Sequence, residues 1–224
     1  MPRPIRLFLF DLDGTLVDSR EDIARAINAV LMKVGENPLP MPAVLQFVGD
    51  GVEILVQRAL RAAAGREPDA GQVRACVDLM IQEYERHLFD ASRLYPGVRG
   101  TLDALRRAKM GLITNKLEAL ARRVLQGFDL AHHFSVVMGG DSLPQRKPDP
   151  APLRAAMACC DALPCETVMV GDSRTDILAG KAAGVTTCGL ACGFRGRDEL
   201  QAAGSDVIID RFSDLLRHFS PPDA

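Results

Sequence analysis

The chain has 224 residues, of which 47% are hydrophobic and 25% charged, and its formal net charge is −2 at pH 7. This composition is typical of a globular protein with a sizeable core, organised as one large domain or as a core with a smaller module. The nearly balanced charge excludes a general nucleic-acid or membrane-surface binder, while a few local cations remain available for a small anion.

The sequence also argues against membrane insertion and secretion. No run of about 18 apolar residues is present, so no transmembrane helix is expected. The apolar stretch near the N-terminus stops at Asp11, which is too short for a signal peptide. The six cysteines form no C-x-x-C pair, and we interpret them as small buried side chains in a reducing compartment. These features predict a cytoplasmic protein.

The first predicted strand is the apolar run at 5–10, which ends in an acidic, glycine-containing turn as a strand buried on both faces does. No strand pattern follows from about 19 to 94. Helix-spaced apolar residues predict helices there over 21–34, 52–64 and 70–89, separated by loops. A crossover between parallel strands normally needs one helix, so this interval is predicted to be an inserted helical module.

Beyond this module, strands and helices alternate. Short apolar runs predict strands at 110–114, 134–138, 167–171, 185–190 and 206–209. Helical patterns lie between most of them, at 98–107, 117–127, 150–161, 175–183 and 213–219. Such alternation predicts an α/β fold with a parallel sheet and right-handed crossovers.

Polar residues follow several predicted strands at their carboxyl ends, where an open parallel sheet binds ligands. They are Asp11 and Asp13 after the first strand, Thr114, Asn115 and Lys116 after the second, Lys147 beyond the third, and Asp172 and Asp176 after the fourth. Carboxylates gathered at one edge raise one another's pKa, and a hard divalent cation relieves their repulsion. Mg²⁺ prefers oxygen ligands and often keeps a phosphate oxygen. The edge is therefore predicted to be a Mg²⁺ site facing a phosphoryl group, with Asp172 as a ligand and Asp176 orienting it or a bound water.

Four segments, in order, resemble the motifs of the haloacid dehalogenase superfamily. They are residues 11–19, 114–116, 147–150 and 171–176. Within that superfamily the chain is most similar to the phosphoglycolate phosphatases, on the segments Val48-Gly-Asp-Gly51, Tyr95-Pro-Gly-Val98 and Gly139-Gly-Asp-Ser-Leu143. The resemblance implies a Rossmann-like core formed by 1–18 and 94–224, and a helical cap domain over 19–93.

The resemblance also implies a role for each matching residue. Asp11 would be the nucleophile that takes the phosphoryl group as an aspartyl-phosphate. Asp13 would be the general acid that protonates the leaving oxygen and then activates water. Thr114 and Asn115 would hold phosphate oxygens, and Lys147 would steady the nucleophile and the phosphate.

The implied metal is Mg²⁺, held by Asp172, by the side chain of Asp11 and by the backbone carbonyl of Asp13. The implied partner is a small phosphorylated metabolite, with 2-phosphoglycolate expected first. A cation is expected to recognise the carboxylate of this substrate. The candidates are Arg20, Arg58 and Lys116, and Gly49 of the cap motif is included among the substrate-binding residues. The segment between Tyr95 and Thr114 is about two residues shorter than the family pattern, so a tight connection is expected before Thr114.

Other functions stay open at this point. A haloalkanoate dehalogenase has no alkoxide leaving group to protonate, so Asp13 favours phosphate chemistry over dehalogenation. A phosphatase or phosphomutase for a sugar phosphate or pyrophosphate would use the same residues. From another class, a non-catalytic phosphoacceptor such as a receiver domain is about half this length and lacks a cap, and a binding protein on this fold would not need intact motifs. The sequence does not distinguish a monomer from a homodimer.

Overall fold

The computed structural model describes residues 2–222, and the chain divides into two compact units. The unit that we call the core unit is formed by both ends of the chain, Met1–Asp18 and Leu94–Ala224. The helical unit is formed by Ser19–Arg93. Two-residue strands, Val17–Asp18 and Arg93–Leu94, lie where the chain passes from one unit to the other.

A six-stranded parallel sheet forms the centre of the core unit. In chain order its strands are β1 (Leu7–Phe10), β2 (Lys109–Ile113), β3 (Val136–Met138), β4 (Thr167–Gly171), β5 (Thr186–Leu190) and β6 (Val207–Ile209). Their order across the sheet is β3-β2-β1-β4-β5-β6. From β1 the chain runs outward through β2 and β3, then crosses to the other side of β1 and runs outward through β4, β5 and β6. The carboxyl ends of β2, β1 and β4 therefore lie side by side where the strand order reverses. The predicted α/β fold with a parallel sheet is confirmed.

The central strand β1 is buried on both faces because it is apolar at every position. Leu7 and Leu9 point to one face, where they pack in a cluster with Ile113, Leu153 and Met169. On the other face, the ring of Phe10 lies 5.8 Å from that of Phe212. Each such side chain contributes about 1.5–3 kcal/mol when fully buried, so β1 is held firmly up to the residue that precedes Asp11.

The helical unit contains four helices. They are α1 (Arg20–Lys33), α2 (Met41–Leu45), α3 (Val52–Ala64) and α4 (Ala70–Arg86). α4 packs against α1 and α3, and its buried face includes Val73, Met80 and Tyr84. α2 lies where a proline-rich loop was predicted. Pro42 stands in the first turn of that helix, where the N–H that proline lacks would have no intrahelical partner.

The remaining helices belong to the core unit. They are α5 (Val98–Ala104), α6 (Glu118–Gly127), α7 (Ala151–Cys160), α8 (Arg174–Ala183), α9 (Arg197–Ala202) and α10 (Leu215–His218). Short 3₁₀ turns span Ala131–His133, Pro164–Glu166 and Phe212–Asp214. α5 ends three residues before its predicted end, and residues 105–108 turn directly into β2 through the bond from Ala108 N–H to Leu105 O. This turn is the tight connection expected before Thr114.

Some elements were not predicted. α9 is one of these, and Arg3–Pro4 pairs in parallel with Phe219–Ser220, where a continuous helix was expected over 213–219. No helix within residues 2–222 is long and apolar enough to cross a membrane. The six cysteines are free thiols, but Cys159, Cys165 and Cys192 are exposed, so the prediction that all six are buried was wrong.

Candidate active site

Three of the predicted site residues directly follow strands of the sheet, and backbone hydrogen bonds fix the positions of two of them. Asp11 directly follows β1, and its N–H donates to the carbonyl of Val170 in β4 at 2.9 Å. Thr114 directly follows β2, and its N–H donates to Met138 O at 3.0 Å. Asp172 directly follows β4. The sheet ladder therefore continues one residue past β1 and β2, and it brings these side chains to one edge.

Three carboxylates meet at this edge. Asp11, Asp172 and Asp176 each contribute an oxygen to a group whose members all lie within 4.8 Å of one another. Burial raises the pKa of Asp11 to about 6, with a smaller upward contribution from Asp176 and a downward one from Lys147. Burial also raises the pKa of Asp172 well above its ordinary value, together with the charges of Asp176 and Asp11. The group is therefore costly to ionise unless a cation binds to it.

The donor set suits a hard divalent cation. All three residues offer carboxylate oxygens, which are the ligands that Mg²⁺ prefers. One of them, Oδ1 of Asp11, is buried and lies 2.9 Å from the Lys147 ammonium, its ion-pair partner. The carboxylate of Asp13 is not part of the group, and the family resemblance implies a ligand role only for its backbone carbonyl. These residues fit a bound cation on chemical grounds.

Lys147 is the buried cation of the site. Its Nζ donates to Ile113 O and to Asp176 Oδ1, both at 2.6 Å, and lies 2.9 Å from Asp11 Oδ1. Burial opposes its charge, but the carboxylates of Asp11 and Asp176 outweigh this effect and raise the pKa of Lys147. The loop that carries it is held by Asn115, whose side-chain amide donates to Lys147 O at 2.8 Å. Lys147 is therefore a charged group that is fixed beside Asp11.

Lys116 forms an ion pair with Asp13. Its Nζ lies 2.6 Å from Oδ2 and 2.8 Å from Oδ1 of that carboxylate, and the two side chains are only 7% and 14% exposed. The backbone N–H of Lys116 donates to the hydroxyl of Thr114 at 3.3 Å. A substrate carboxylate would therefore meet an ammonium that already binds Asp13. The contact of Lys116 with a substrate carboxylate stays a prediction.

Asp172 lies between two glycine backbones. A side chain at Gly14, where φ is +85°, or at Gly193 would overlap with the Asp172 carboxyl group or its Cβ. The N–H of Phe194 donates to Asp172 Oδ2 at 2.7 Å, and the Thr15 hydroxyl lies 3.4 Å from Oδ1. Gly193 and Phe194 are not among the residues predicted from the sequence. They lie three and four residues beyond the end of β5, and neither residue type indicates a part in the site.

Asp176 has two different contacts. Its Oδ2 accepts hydrogen bonds from the N–H and the hydroxyl of Ser173, at 3.1 and 2.7 Å, and so caps α8. Its Oδ1 accepts the hydrogen bond from Lys147. The predicted role of Asp176 in orienting Asp172 or a bound water stays a prediction.

The remaining predicted residues lie in the helical unit. Gly49 and Gly51 have φ values of +117° and +97°, which glycine adopts far more readily than other residues, and Asp50 lies between them. Asp50 Oδ2 is 2.7 Å from Arg58 Nη1. Arg20 begins α1. A part for Gly49, Arg20 or Arg58 in substrate binding stays a prediction.

Comparisons with known proteins agree with this geometry. The family model described as haloacid dehalogenase-like hydrolase matches residues 8–190. A curated Phosphoglycolate phosphatase from Nitrosospira multiformis is 39% identical over 210 residues, which cover 93% of this chain and 92% of the relative. A second, from Pseudomonas putida, is 38% identical over 97% of this chain and 80% of its own length. A crystal structure described as a predicted phosphoglycolate phosphatase from Haemophilus somnus is 34% identical, with a TM-score of 0.90 over 95% of this chain and 97% of its own.

Proposed function

The chain belongs to the haloacid dehalogenase-like hydrolase family, and we propose that it is a phosphatase that converts 2-phosphoglycolate and water to glycolate and phosphate. The observation that carries this proposal is the position of Asp11, buried beside Lys147 and within the group of three carboxylates. The relatives named Phosphoglycolate phosphatase support the choice of substrate. In this proposal the core unit is the catalytic domain and the helical unit is the cap.

The chain's own residues can carry out hydrolysis in two steps. Asp11 attacks the phosphorus, the bond from phosphorus to the leaving oxygen breaks, and Asp13 gives that oxygen a proton, so that glycolate leaves. A water molecule then gives a proton to Asp13 and attacks the phosphorus. The bond from phosphorus to Asp11 breaks, inorganic phosphate leaves, and the Asp11 carboxylate is restored. General acid–base help of this kind contributes about 10²–10⁴-fold to a rate.

Charge and position supply the rest of the catalysis. A carboxylate and a phosphate dianion repel each other, and the Lys147 ammonium lies beside Asp11, where it opposes that repulsion. Thr114 and Asn115, at the carboxyl end of β2, would hold phosphate oxygens. Asp11, Asp172 and the backbone carbonyl of Asp13 would hold Mg²⁺, with Asp176 close by. When bound, Mg²⁺ would neutralise the carboxylates and the phosphoryl oxygens.

The experiment is phosphate release from a panel that includes 2-phosphoglycolate, sugar phosphates and pyrophosphate, with Mg²⁺ and with EDTA. We expect 2-phosphoglycolate to have the highest kcat/KM, and EDTA to abolish turnover. Asp11→Asn should be folded and inactive, while the exposed control Asp198→Asn should keep full activity. Normal turnover by Asp11→Asn would refute the mechanism.

The panel also separates the alternatives. A higher kcat/KM for a sugar phosphate or for pyrophosphate would reassign the substrate and leave the mechanism intact. Transfer of phosphate between two positions of a sugar, with little net release, would identify a phosphomutase. A cytoplasmic location, and the choice between a monomer and a homodimer, stay predictions.

A further inference from the structure

We propose that Asp141 and Ser142 are positioning residues for the phosphate site. They belong to a turn, residues 139–142, which follows β3 and packs against the segment 114–117 between β2 and α6. That segment carries Thr114 and Asn115, which would hold phosphate oxygens. In this proposal neither Asp141 nor Ser142 contacts the substrate, and both act by holding the segment in place. The inference rests on the proposed function, because it takes Thr114 and Asn115 as the residues that bind phosphate.

The start of α6 has no capping side chain from its own segment. The residue before the helix is Leu117, whose side chain cannot accept a hydrogen bond. Asp141 supplies the acceptor instead, because its Oδ1 accepts the N–H of Glu118 at 2.7 Å. A negative charge is also favourable at the N-terminus of a helix. The point where the segment 114–117 enters α6 is therefore held by a residue from the turn.

Ser142 joins the same two parts of the chain through its hydroxyl. This hydroxyl accepts the N–H of Gly139 at 2.8 Å and donates to Oε2 of Glu118. The hydrogen bond from Ser142 is the main cause that lowers the pKa of Glu118, and Arg122 lowers it further. The acceptor is therefore charged, which makes this hydrogen bond one of the stronger kind. The turn is thus bound to Glu118 at a backbone atom and at a side-chain atom.

The backbones of the turn and the segment leave no room for side chains at two glycines. A Cβ at Gly139 would lie 2.2 Å from the nitrogen of Glu118, and a Cβ at Gly140 would lie 2.5 Å from the carbonyl oxygen of Asn115. The N–H of Gly140 also donates to the carbonyl of Lys116 at 2.8 Å. The contact therefore extends from the start of α6 to one of the predicted phosphate-binding residues.

This contact should affect phosphate binding more than the position of Lys147. The Nζ of Lys147 is bound to Ile113 O in β2 and to Asp176 Oδ1, and both partners lie outside the segment 114–117. Binding groups need to be held to within about 0.5 Å of their productive positions by the contacts around them. An interaction that is equally strong in the bound substrate and in the transition state changes KM and leaves kcat unchanged. We therefore expect a loosened segment to weaken phosphate affinity first.

The first test is calorimetric titration with inorganic phosphate in the presence of Mg²⁺. Asp141→Ala should bind phosphate about tenfold more weakly than the wild type, because the segment loses one of its fixed points. Asp141→Asn should restore most of the lost affinity, since its amide oxygen can still accept the N–H of Glu118. Both variants lack the negative charge of Asp141, so a difference between them reports the hydrogen bond and not the charge.

Asp69→Ala is the matched control. Asp69 is also exposed, and its Oδ1 accepts the N–H of Gln72 in the first turn of α4 at 2.9 Å. Its loss removes the same kind of hydrogen bond in the helical unit and should leave phosphate affinity unchanged. Urea denaturation should show similar losses of stability in Asp69→Ala and Asp141→Ala. A change in phosphate affinity that is confined to Asp141→Ala is then not a consequence of lower stability.

Gly140→Ala tests the contact without removing a hydrogen-bonding side chain. Its Cβ should displace the Asn115 backbone, so we expect KM for 2-phosphoglycolate to rise about tenfold and kcat to change much less. Gly100→Ala is the control, because the space around that position in α5 is open. It should leave both constants unchanged.

The outcomes distinguish this inference from the proposed function. If the wild type neither binds inorganic phosphate nor hydrolyses 2-phosphoglycolate, the proposed function fails. If the wild type does both, the inference alone is overturned when Asp141→Ala binds phosphate like the wild type, or when Asp141→Asn binds it as weakly as Asp141→Ala. Should Asp141→Ala fail to fold, Ser142→Ala carries the same expectation, and Ser142→Thr, which keeps the hydroxyl, serves as the conservative variant.

Discussion

The ammonium of Lys147 lies 2.6 Å from a carboxylate oxygen of Asp176, and both side chains are almost completely buried. Asp176 also caps α8 through Ser173, so one carboxylate joins the loop that carries Lys147 to the helix that follows Asp172. The pair therefore has a structural consequence besides its charge. It holds the Lys147 ammonium in a fixed position relative to the start of α8.

Asp176→Ala should strongly destabilise the protein, because it leaves Lys147 with one fewer counter-ion and removes the acceptor of the N–H and hydroxyl of Ser173 at the start of α8. Breaking a buried ion pair by removing one partner costs about 3–5 kcal/mol. Asp69→Ala is the control. Asp69 is an exposed cap of α4 that accepts one hydrogen bond from Gln72 N–H, and its loss costs about 1 kcal/mol. Urea denaturation without divalent cations measures both changes, and equal losses would contradict the assigned role of Asp176.

The sequence was sufficient to locate much of the candidate site because parallel strands end at the same edge of a sheet. Asp11 and Asp172 follow adjacent strands. Phe10 and Val170 are paired in the sheet, so the backbones of Asp11 and Asp172 lie close together independently of their side chains. The positions of the strands could also be predicted, because buried strands such as β4 are apolar at nearly every residue. Such an apolar run can be recognised in the sequence without knowledge of any side-chain contact.

Side-chain partners could not be read in the same way. Nothing in the spacing of Asp13 and Lys116 indicates that they bind each other, since this contact depends on two rotamers and on the path of two loops. Gly193 and Phe194 act through a backbone N–H and the absence of a Cβ, so their residue types carry no sign of chemistry. α2 was not predicted because the prolines before it and in its first turn were interpreted as a loop, although proline is also tolerated in the first turn of a helix.

Gly193→Ala should weaken binding of a divalent cation. A Cβ at this position would overlap with Asp172 and with the carbonyl of Gly14, so the loop must move and the Phe194 N–H would leave Asp172. Changes to groups that orient a metal ligand typically cost about 10–100-fold in metal affinity. Isothermal titration with Mg²⁺ measures this directly. Gly196→Ala, in the same loop but with open space around its Cβ, should bind Mg²⁺ like the wild type. Equal affinities for the two variants would exclude this role for Gly193.

The pKa of Asp11 predicts how stability depends on pH when no cation is present. Its folded value of about 6 lies above the ordinary 3.8, so the folded state binds more protons than the unfolded state between these values. The stabilising contribution of protonated Asp11 is therefore lost as pH rises through about 6.

Asp11→Asn serves as the reference, because it cannot ionise at this position while every other group is kept. From pH 5 to pH 7, the unfolding free energy of the wild type should fall by about 1 kcal/mol relative to this variant. Mg²⁺ should stabilise the wild type more at pH 7 than at pH 5, since a cation needs ionised carboxylates. A constant difference between the two proteins across this range would show that burial does not raise the pKa of Asp11.

Asp22 links the two ends of the helical unit. It is completely buried near the start of α1, and its oxygens accept hydrogen bonds from Ala91 N–H at 3.0 and 3.1 Å. Ser92 donates to the same carboxylate from its N–H at 2.8 Å and from its hydroxyl at 2.6 Å. One buried charge thus satisfies the donors of both residues just before the chain leaves the unit.

Asp22→Ala should leave these donors unsatisfied and lower the unfolding free energy by about 3 kcal/mol, because hydrogen bonds to a charged group are among the stronger ones. Ser92→Ala removes only the hydroxyl and should cost about 1 kcal/mol. Hydrogen exchange gives a local measurement. The amides of Ala91 and Ser92 should exchange much faster in Asp22→Ala, whereas in Ser92→Ala both amides keep their carboxylate acceptor and should remain protected. If the two amides are equally protected in the wild type and in Asp22→Ala, Asp22 does not hold the end of the unit to α1.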